Sequence, residues 1–131
     1  MRKKASRLGT DPAFSEGTSV AVLGAGGWGT ALAILLCWRG HRVSLWCRRP
    51  EVALRIKTTR QNAPYLAGVS IPDEITVTSS LDEALAGARY VVIAVPSKGV
   101  RALCRNLKGA LHDGHQACGV ISAAKGIDPD T

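Results

Sequence analysis

The stretch Ser19-Val20-Ala21-Val22-Leu23-Gly24-Ala25-Gly26-Gly27-Trp28-Gly29-Thr30-Ala31-Leu32-Ala33 constrains the fold more than any other part of the chain. It reads as a short buried strand, a turn with G-x-G-x-x-G spacing at Gly24, Gly26 and Gly29, and an opening helix. In such a turn one glycine makes the sharp bend, one lets the backbone approach a pyrophosphate, and one lets helix and strand pack closely. The N–H groups at the helix start, aided by the helix dipole, then face the phosphates. The glycine pattern alone is a weak signal; the strand before it and the helix after it give it weight. A glycine turn that binds nothing is the competing reading.

The 131 residues fit one domain, with 46% hydrophobic and 21% charged residues, an ordinary globular composition. No segment is long enough to span a membrane. Residues 1–18 open Met-Arg-Lys-Lys and lack the apolar core of a secretory signal, so they read as a disordered basic tail. Asp11 and Glu16 interrupt it, which argues against an organelle-targeting peptide. Cys37, Cys47, Cys104 and Cys118 show neither C-x-x-C spacing nor a disulfide framework, and a reducing cytoplasm is the expected compartment. His112 and His115 form an H-x-x-H in a polar loop with no third ligand nearby, so a solvated turn is expected there and no metal.

The net charge of +7 is unevenly placed. Arg39, Arg42, Arg48, Arg49, Arg55, Lys57 and Arg60 stand against the single acid Glu51, a local +6 directly after the glycine turn. A nucleic-acid patch and a rim for a phosphorylated small molecule both fit such a balance. The second is expected, because the cluster starts where a dinucleotide's ribose should lie and no aromatics are interleaved with it.

Along the chain, Trp28, Ala31, Leu32, Leu35 and Leu36 repeat at helical spacing and predict one apolar helix face, closed by Gly40. Arg42–Trp46 is a predicted second strand, and Pro50 with Glu51 opens a helix through about Lys57. Residues 58–72 read as an irregular loop, of a length that is more often functional than idle. Ile75–Thr78 is a short strand, and Ser80 with Glu83 predicts a capping box for a helix through Ala86. Tyr90–Val95 is a near-continuously apolar strand, as expected for one covered on both faces. Pro96-Ser97 turns into a helix to about Leu107, and residues 116–122 form a fifth strand.

Alternating strands and helices imply an α/β fold with a doubly wound parallel sheet. Ligands of such sheets bind beyond the carboxyl ends of the strands, at the switch point between the first and fourth. That rule collects Gly24–Gly29, Arg48–Arg49, Pro96–Ser97 and Lys125 on one rim. NAD-binding versions usually carry Asp or Glu at the end of the second strand to hold the ribose 2′-OH. Here Trp46-Cys47-Arg48-Arg49 offers two guanidinium groups suited to a 2′-phosphate, so NADPH is favoured and NADH stays open.

With these residues placed, the chain resembles the N-terminal, Rossmann-type domain of the bacterial NAD(P)-dependent glycerol-3-phosphate dehydrogenases from about Ser19 to Thr131. The resemblance runs through five blocks in order: Val22–Ala33, Leu45–Pro50, Asn62-Ala63-Pro64-Tyr65-Leu66-Ala67-Gly68, Val95-Pro96-Ser97 and Lys125-Gly126-Ile127. It implies interconversion of dihydroxyacetone phosphate and sn-glycerol 3-phosphate, the product feeding glycerophospholipid synthesis. It also implies that Gly27 and Trp28 meet the cofactor phosphates, beside the motif glycines Gly24, Gly26 and Gly29 of the cofactor site, and that Arg48 and Arg49 meet its adenosine ribose or 2′-phosphate. Tyr65 and Pro96 would lie near the cofactor, and Lys125 would touch both cofactor and substrate as a catalytic cation. A fixed lysine there is chemically apt, since it can hold a substrate phosphate or polarise a developing alkoxide.

The resemblance has departures. Gly27 stands where the family more often has Ser, Ala or Asn, which removes a side chain and leaves the backbone N–H. Ser122, Ala124 and Lys98 are also not the residues the family pattern calls for. Family members continue into an all-helical second domain that supplies a proton-donating lysine and most substrate contacts, and the full-length protein is compatible with a homodimer. This chain alone is expected to bind cofactor and hardly to catalyse. Two other readings stay open: a non-catalytic nucleotide-sensing module, and a two-domain dehydrogenase of another hydroxy substrate.

Overall fold

A computed structural model describes residues 17–112 and 119–123. Of the tail expected over 1–18, residues 1–16 lie outside them, as do Cys118 and His115 of the H-x-x-H. Gly17 and Thr18 lie inside, Gly17 N donating to the Gly40 carbonyl at 3.2 Å and Arg42 N to the Thr18 carbonyl at 3.0 Å. The described elements are β1 (Ser19–Leu23), α1 (Gly27–Trp38), β2 (Arg42–Trp46), α2 (Pro50–Thr59), β3 (Thr76–Thr78), α3 (Leu81–Leu85), β4 (Tyr90–Ile93), α4 (Ser97–His112) and β5 (Gly119–Ser122). All four strand pairings are parallel, in the order β3-β2-β1-β4-β5. The order reverses between β1 and β4, where the expected doubly wound sheet has its switch point.

Side-chain alternation along the central strands sorts the core into two layers. Val20, Val22, Val43, Leu45 and Val92 pack with Ala33 and Ile34 of α1 and Ala53 and Ile56 of α2. Ala21, Leu23, Val91 and Ile93 face the other way, against Ala84 and Leu85 of α3 and Leu103 and Leu107 of α4. Each fully buried Val, Leu or Ile contributes about 1.5–3 kcal/mol relative to exposure. A strand buried on both faces needs this continuous apolar run, which is why β1 and β4 were legible as strands.

Helix α4 is one-sided in the ordinary way. Leu103 and Leu107 are buried, whereas Lys98, Arg101, Arg105 and Lys108 are exposed. It continues past the expected end near Leu107 to His112.

Helix α1 corrects the expected apolar face. Its buried residues are Gly29, Thr30, Ala33 and Ile34, while Trp28, Leu35 and Trp38 are exposed and Ala31, Leu32 and Leu36 only half-buried. The helix is apolar nearly all round, so spacing alone could not choose a face. Gly29 chooses it: a β-carbon there would collide with the Gly24 carbonyl oxygen, so only this glycine lets α1 lie so close to β1.

The capping box also forms differently. Ser80 Oγ accepts from the Glu83 N–H at 3.2 Å, as expected. The Glu83 carboxylate, however, pairs with the Thr78 hydroxyl, and the Ser80 N–H donates to Thr78 Oγ1 at 3.0 Å. Thr78 is buried at the end of β3 and offers a nearer partner than the Ser80 N–H. The H-x-x-H expectation is not tested, since His115 lies outside the described residues; among those residues no group of three His, Cys, Asp or Glu could hold a metal.

Candidate functional site at the carboxyl edge of the sheet

The strands end together. Leu23 is in register with Trp46 and Ile93, and Ile93 with Ser122. Beyond them the backbone stays tied, with Gly24 N donating to Trp46 O at 3.0 Å and Ala94 N to Leu23 O at 2.8 Å. The glycine turn, Cys47–Arg49 and Val95–Pro96 therefore leave the sheet side by side, as the switch-point rule requires.

The glycines of the turn have different surroundings. Gly24 has φ +124, a conformation L side chains rarely adopt, and a β-carbon on it would stand 2.7 Å from the Ala94 carbonyl oxygen. Gly26 is the N-cap of α1, with no side-chain cap and nothing within 4 Å of where a β-carbon would sit. That open space lies at the start of a helix whose first N–H groups have no intrahelical acceptor. It suits the oxygens of a phosphate and leaves room for a group that a side chain would displace. A β-carbon on Gly27 would lie 2.9 Å from the Tyr65 carbonyl oxygen. The glycine that departs from the resembled pattern thus lets the loop after α2 close down on the turn.

That loop contains a residue that opens one of the resembled blocks and to which the sequence assigned no role. Asn62 is fully buried; its Nδ2 donates to the Ala25 carbonyl at 2.6 Å and to Thr30 Oγ1 at 3.0 Å. A carbonyl can only accept, so its contact fixes which end of the amide is nitrogen. The Asn62 Oδ1 is left without a hydrogen-bond partner among the described residues. An unsatisfied buried acceptor costs roughly 1–3 kcal/mol. In the sequence Asn62 looked like one more turn residue beside Pro64 and Gly68, and no local spacing says that its amide reaches back 37 residues.

The loop is anchored at its other end by Arg60. This residue caps α2 with φ +56, and its Nη1 donates to the carbonyls of Pro72 at 3.1 Å and Ile75 at 2.9 Å. Its Nε lies 3.5 Å from Asp73 Oδ1. Between the anchors, the N–H groups of Tyr65 and Leu66 both donate to the Asn62 carbonyl. The Tyr65 ring is 62% exposed.

Arg48 and Arg49 are exposed directly after β2, and Arg49 is the N-cap of α2 with no side-chain cap bond. The basic cluster does not form one patch. Arg42 begins β2 and donates through Nε to Ser19 Oγ at 3.1 Å, which puts it at the opposite end of the sheet. Arg39 caps the far end of α1, and Arg60 is engaged with the loop. Arg48 and Arg49 are the members carried at the carboxyl edge. Buried Cys47, just before them, has its thiol pushed up to about 11 by burial, with Arg55 pulling slightly the other way. It is a protonated packing group and not a nucleophile.

Trp28, expected first as core, is 46% exposed at the second position of α1. Pro96 is exposed between β4 and α4, and its carbonyl accepts from the Gly99 N–H at 2.8 Å in the first turn of α4. Lys125, the expected catalytic and substrate-binding residue, lies outside the described residues, as does Ala124. Gly24, Gly26, Gly27, Trp28, Gly29, Arg48, Arg49, the Tyr65 backbone and Pro96 are thus brought to one edge. No helix among the described residues is long and apolar enough to cross a membrane.

Known proteins share this arrangement. The family model described as "NAD-dependent glycerol-3-phosphate dehydrogenase N-terminus" matches residues 19–131. A glycerol-3-phosphate dehydrogenase [NAD(P)+] of Moorella thermoacetica is 48% identical over 113 residues, covering 86% of this chain and 33% of the relative. One of Deinococcus radiodurans is 45% identical over 117 residues, covering 89% and 34%. The crystal structure of glycerol-3-phosphate dehydrogenase from Coxiella burnetii superposes with a TM-score of 0.76 at 27% identity, covering 87% of this chain and 34% of that one. The chain spans about a third of the length of the curated relatives it matches. From residue 19 onward, this chain belongs to the NAD-dependent glycerol-3-phosphate dehydrogenase family, as a counterpart of its N-terminal domain.

Proposed function

We propose that residues 19–131 are the cofactor-binding part of a glycerol-3-phosphate dehydrogenase that interconverts dihydroxyacetone phosphate and sn-glycerol 3-phosphate, with NADPH favoured over NADH. The observation that carries this reading is the open glycine turn at the β1–β4 switch point, flanked by two exposed arginines at the end of β2. The residues fit a dinucleotide. Gly26 leaves space at a helix N-terminus for the pyrophosphate, and Trp46-Cys47-Arg48-Arg49 at the end of β2 holds no acid to claim a 2′-hydroxyl.

When bound, the nicotinamide supplies or accepts the hydride. The chain's own residues bind and orient: the N–H groups of Gly26 and Gly27 hold the pyrophosphate, and Arg48 and Arg49 hold the 2′-phosphate. Pro96 borders the same crevice. Lys125 holds the substrate phosphate or stabilises negative charge on the reacting oxygen. The remaining length of the relatives supports a second part that completes the substrate site. The free thiols of Cys37, Cys47 and Cys104 support a reducing, cytoplasmic setting.

The test has two steps. The chain should bind NADPH more tightly than NADH in a fluorescence titration. Joined to the complementary two thirds of the Moorella relative, it should oxidise NADPH when dihydroxyacetone phosphate is added. A folded fusion that binds NADPH but turns over no dihydroxyacetone phosphate would reject the substrate, and a chain that binds neither nucleotide would reject the domain assignment.

A further inference from the structure

We propose that Asn62 is the positioning residue for pyrophosphate recognition: its buried amide holds the Ala25 carbonyl inward and thereby aims the Gly26 N–H outward at the phosphate. The inference rests on the cofactor reading above and deepens it by naming what orients the donor. A trans peptide is planar, with its C=O and N–H pointing in opposite directions. The Ala25 carbonyl and the Gly26 N–H belong to the same peptide. A donor that fixes the carbonyl on the protein side, at 2.6 Å, therefore fixes the N–H on the other side. Next to that N–H, a β-carbon placed on Gly26 would meet nothing within 4 Å.

The second Asn62 contact reinforces the first. Thr30 Oγ1 accepts at 3.0 Å, and the Thr30 N–H donates to the Gly26 carbonyl at 3.0 Å. One amide thus braces both the peptide before Gly26 and the first turn of α1 after it. The brace is held from behind, because the Asn62 carbonyl accepts from Tyr65 and Leu66, and the Tyr65 carbonyl sits over Gly27. Among the described residues the Oδ1 has no hydrogen-bond partner, so both bonds of this amide are made by its nitrogen. Its nitrogen is spent on the turn.

Asn62→Asp keeps the size of the side chain and removes the donor, setting a carboxylate oxygen against the Ala25 carbonyl. Wild type and variant are titrated with NADPH and with 2′-AMP, which offers adenosine and a 2′-phosphate but no pyrophosphate. NADPH binding should weaken about tenfold or more, while 2′-AMP binding stays within about twofold. A merely structural asparagine would move both alike, and parallel losses or no loss overturn the proposal. Should the variant fail to fold, the wild-type chain still decides. On addition of inorganic pyrophosphate, the Gly26 amide proton must shift downfield in a 15N-resolved spectrum, and an unmoved Gly26 resonance overturns the proposal. A wild-type chain that binds neither NADPH nor 2′-AMP overturns the cofactor reading, and this inference with it.

Discussion

The carbonyl oxygen of Gly24 occupies the place where a side chain on Gly29 would have to begin. The two glycines thereby set the distance between β1 and α1, and the turn between them takes its shape from that contact. Gly29→Ala should push α1 off the sheet and cost about 3 kcal/mol, the upper end of overpacking, since backbone rather than a flexible side chain must yield. Gly26→Ala should leave stability within about 0.5 kcal/mol, because the new methyl enters open space at an ordinary φ of −77. The same methyl stands where a phosphate would lie, so NADPH affinity should fall. Urea denaturation of the two variants beside a nucleotide titration separates the packing glycine from the one proposed to bind.

Arg49 gives a prediction in which stability and selectivity move in opposite directions. It is the N-cap of α2 and makes no cap bond, a position where Asp is among the best residues. Arg49→Asp should raise stability by about 0.5–1 kcal/mol. If Arg49 faces the 2′-phosphate as proposed, the substitution should also replace that cation by an anion and reduce the proposed NADPH over NADH preference by about tenfold or more. Arg48→Asp should lose selectivity without gaining stability. Unchanged selectivity in both variants would remove the arginines from the cofactor site.

Arg60 is predicted to be costly in conformation and repaid in contacts. Its φ of +56 is left-handed, a strain on the order of 1 kcal/mol for a residue with a side chain. Its guanidinium bonds to the Pro72 and Ile75 carbonyls hold the loop that carries Asn62. Arg60→Ala should cost about 1.5–3 kcal/mol, and Arg60→Gly less, because glycine regains the strain while losing the same bonds. Asp73→Ala should cost under about 0.5 kcal/mol, since the Asp73 carboxylate is almost fully exposed. Thermal melts give the ranking, and hydrogen exchange across residues 61–75 should quicken in both Arg60 variants.

The sheet was legible because its evidence is redundant. Val20–Leu23 and Tyr90–Ile93 are apolar throughout, and the glycine spacing assigns β1 to the centre before any pairing is known. The buried face of α1 was not legible from periodicity, since Trp28, Leu35 and Trp38 are as apolar as Ala33 and Ile34. The signal that does identify it lies in the motif: the close-packing Gly29 must face β1, and Ala33 follows it by one helical turn. Asn62 was beyond reach for another reason. Its partners, Ala25 and Thr30, come from the far side of β2 and α2, so its role exists only once the chain has folded back. The basic cluster misled in the same way, because a run of charges in sequence was divided by a strand whose two ends lie on opposite edges of the sheet.

Cys47 makes stability depend on alkaline pH. Its thiol is raised from 9.0 to about 11 because burial disfavours the thiolate. A group whose pKa is raised on folding contributes stability that is fully present below its unfolded pKa. That contribution then declines as pH rises from 9 and is lost through about 11. The Cys37 thiol is also raised, by burial and by the nearby Glu74 carboxylate, so the readout is a difference between proteins. The urea midpoint of wild type should fall more steeply between pH 8.5 and 10.5 (values on the order of the two pKa limits) than that of Cys47→Ala. Alkylation gives an independent check: Cys104 is exposed and should label in the native protein, whereas Cys47 should label only on unfolding. Rapid native labelling of Cys47 at neutral pH would mean that the end of β2 opens, and with it the seat of Arg48 and Arg49.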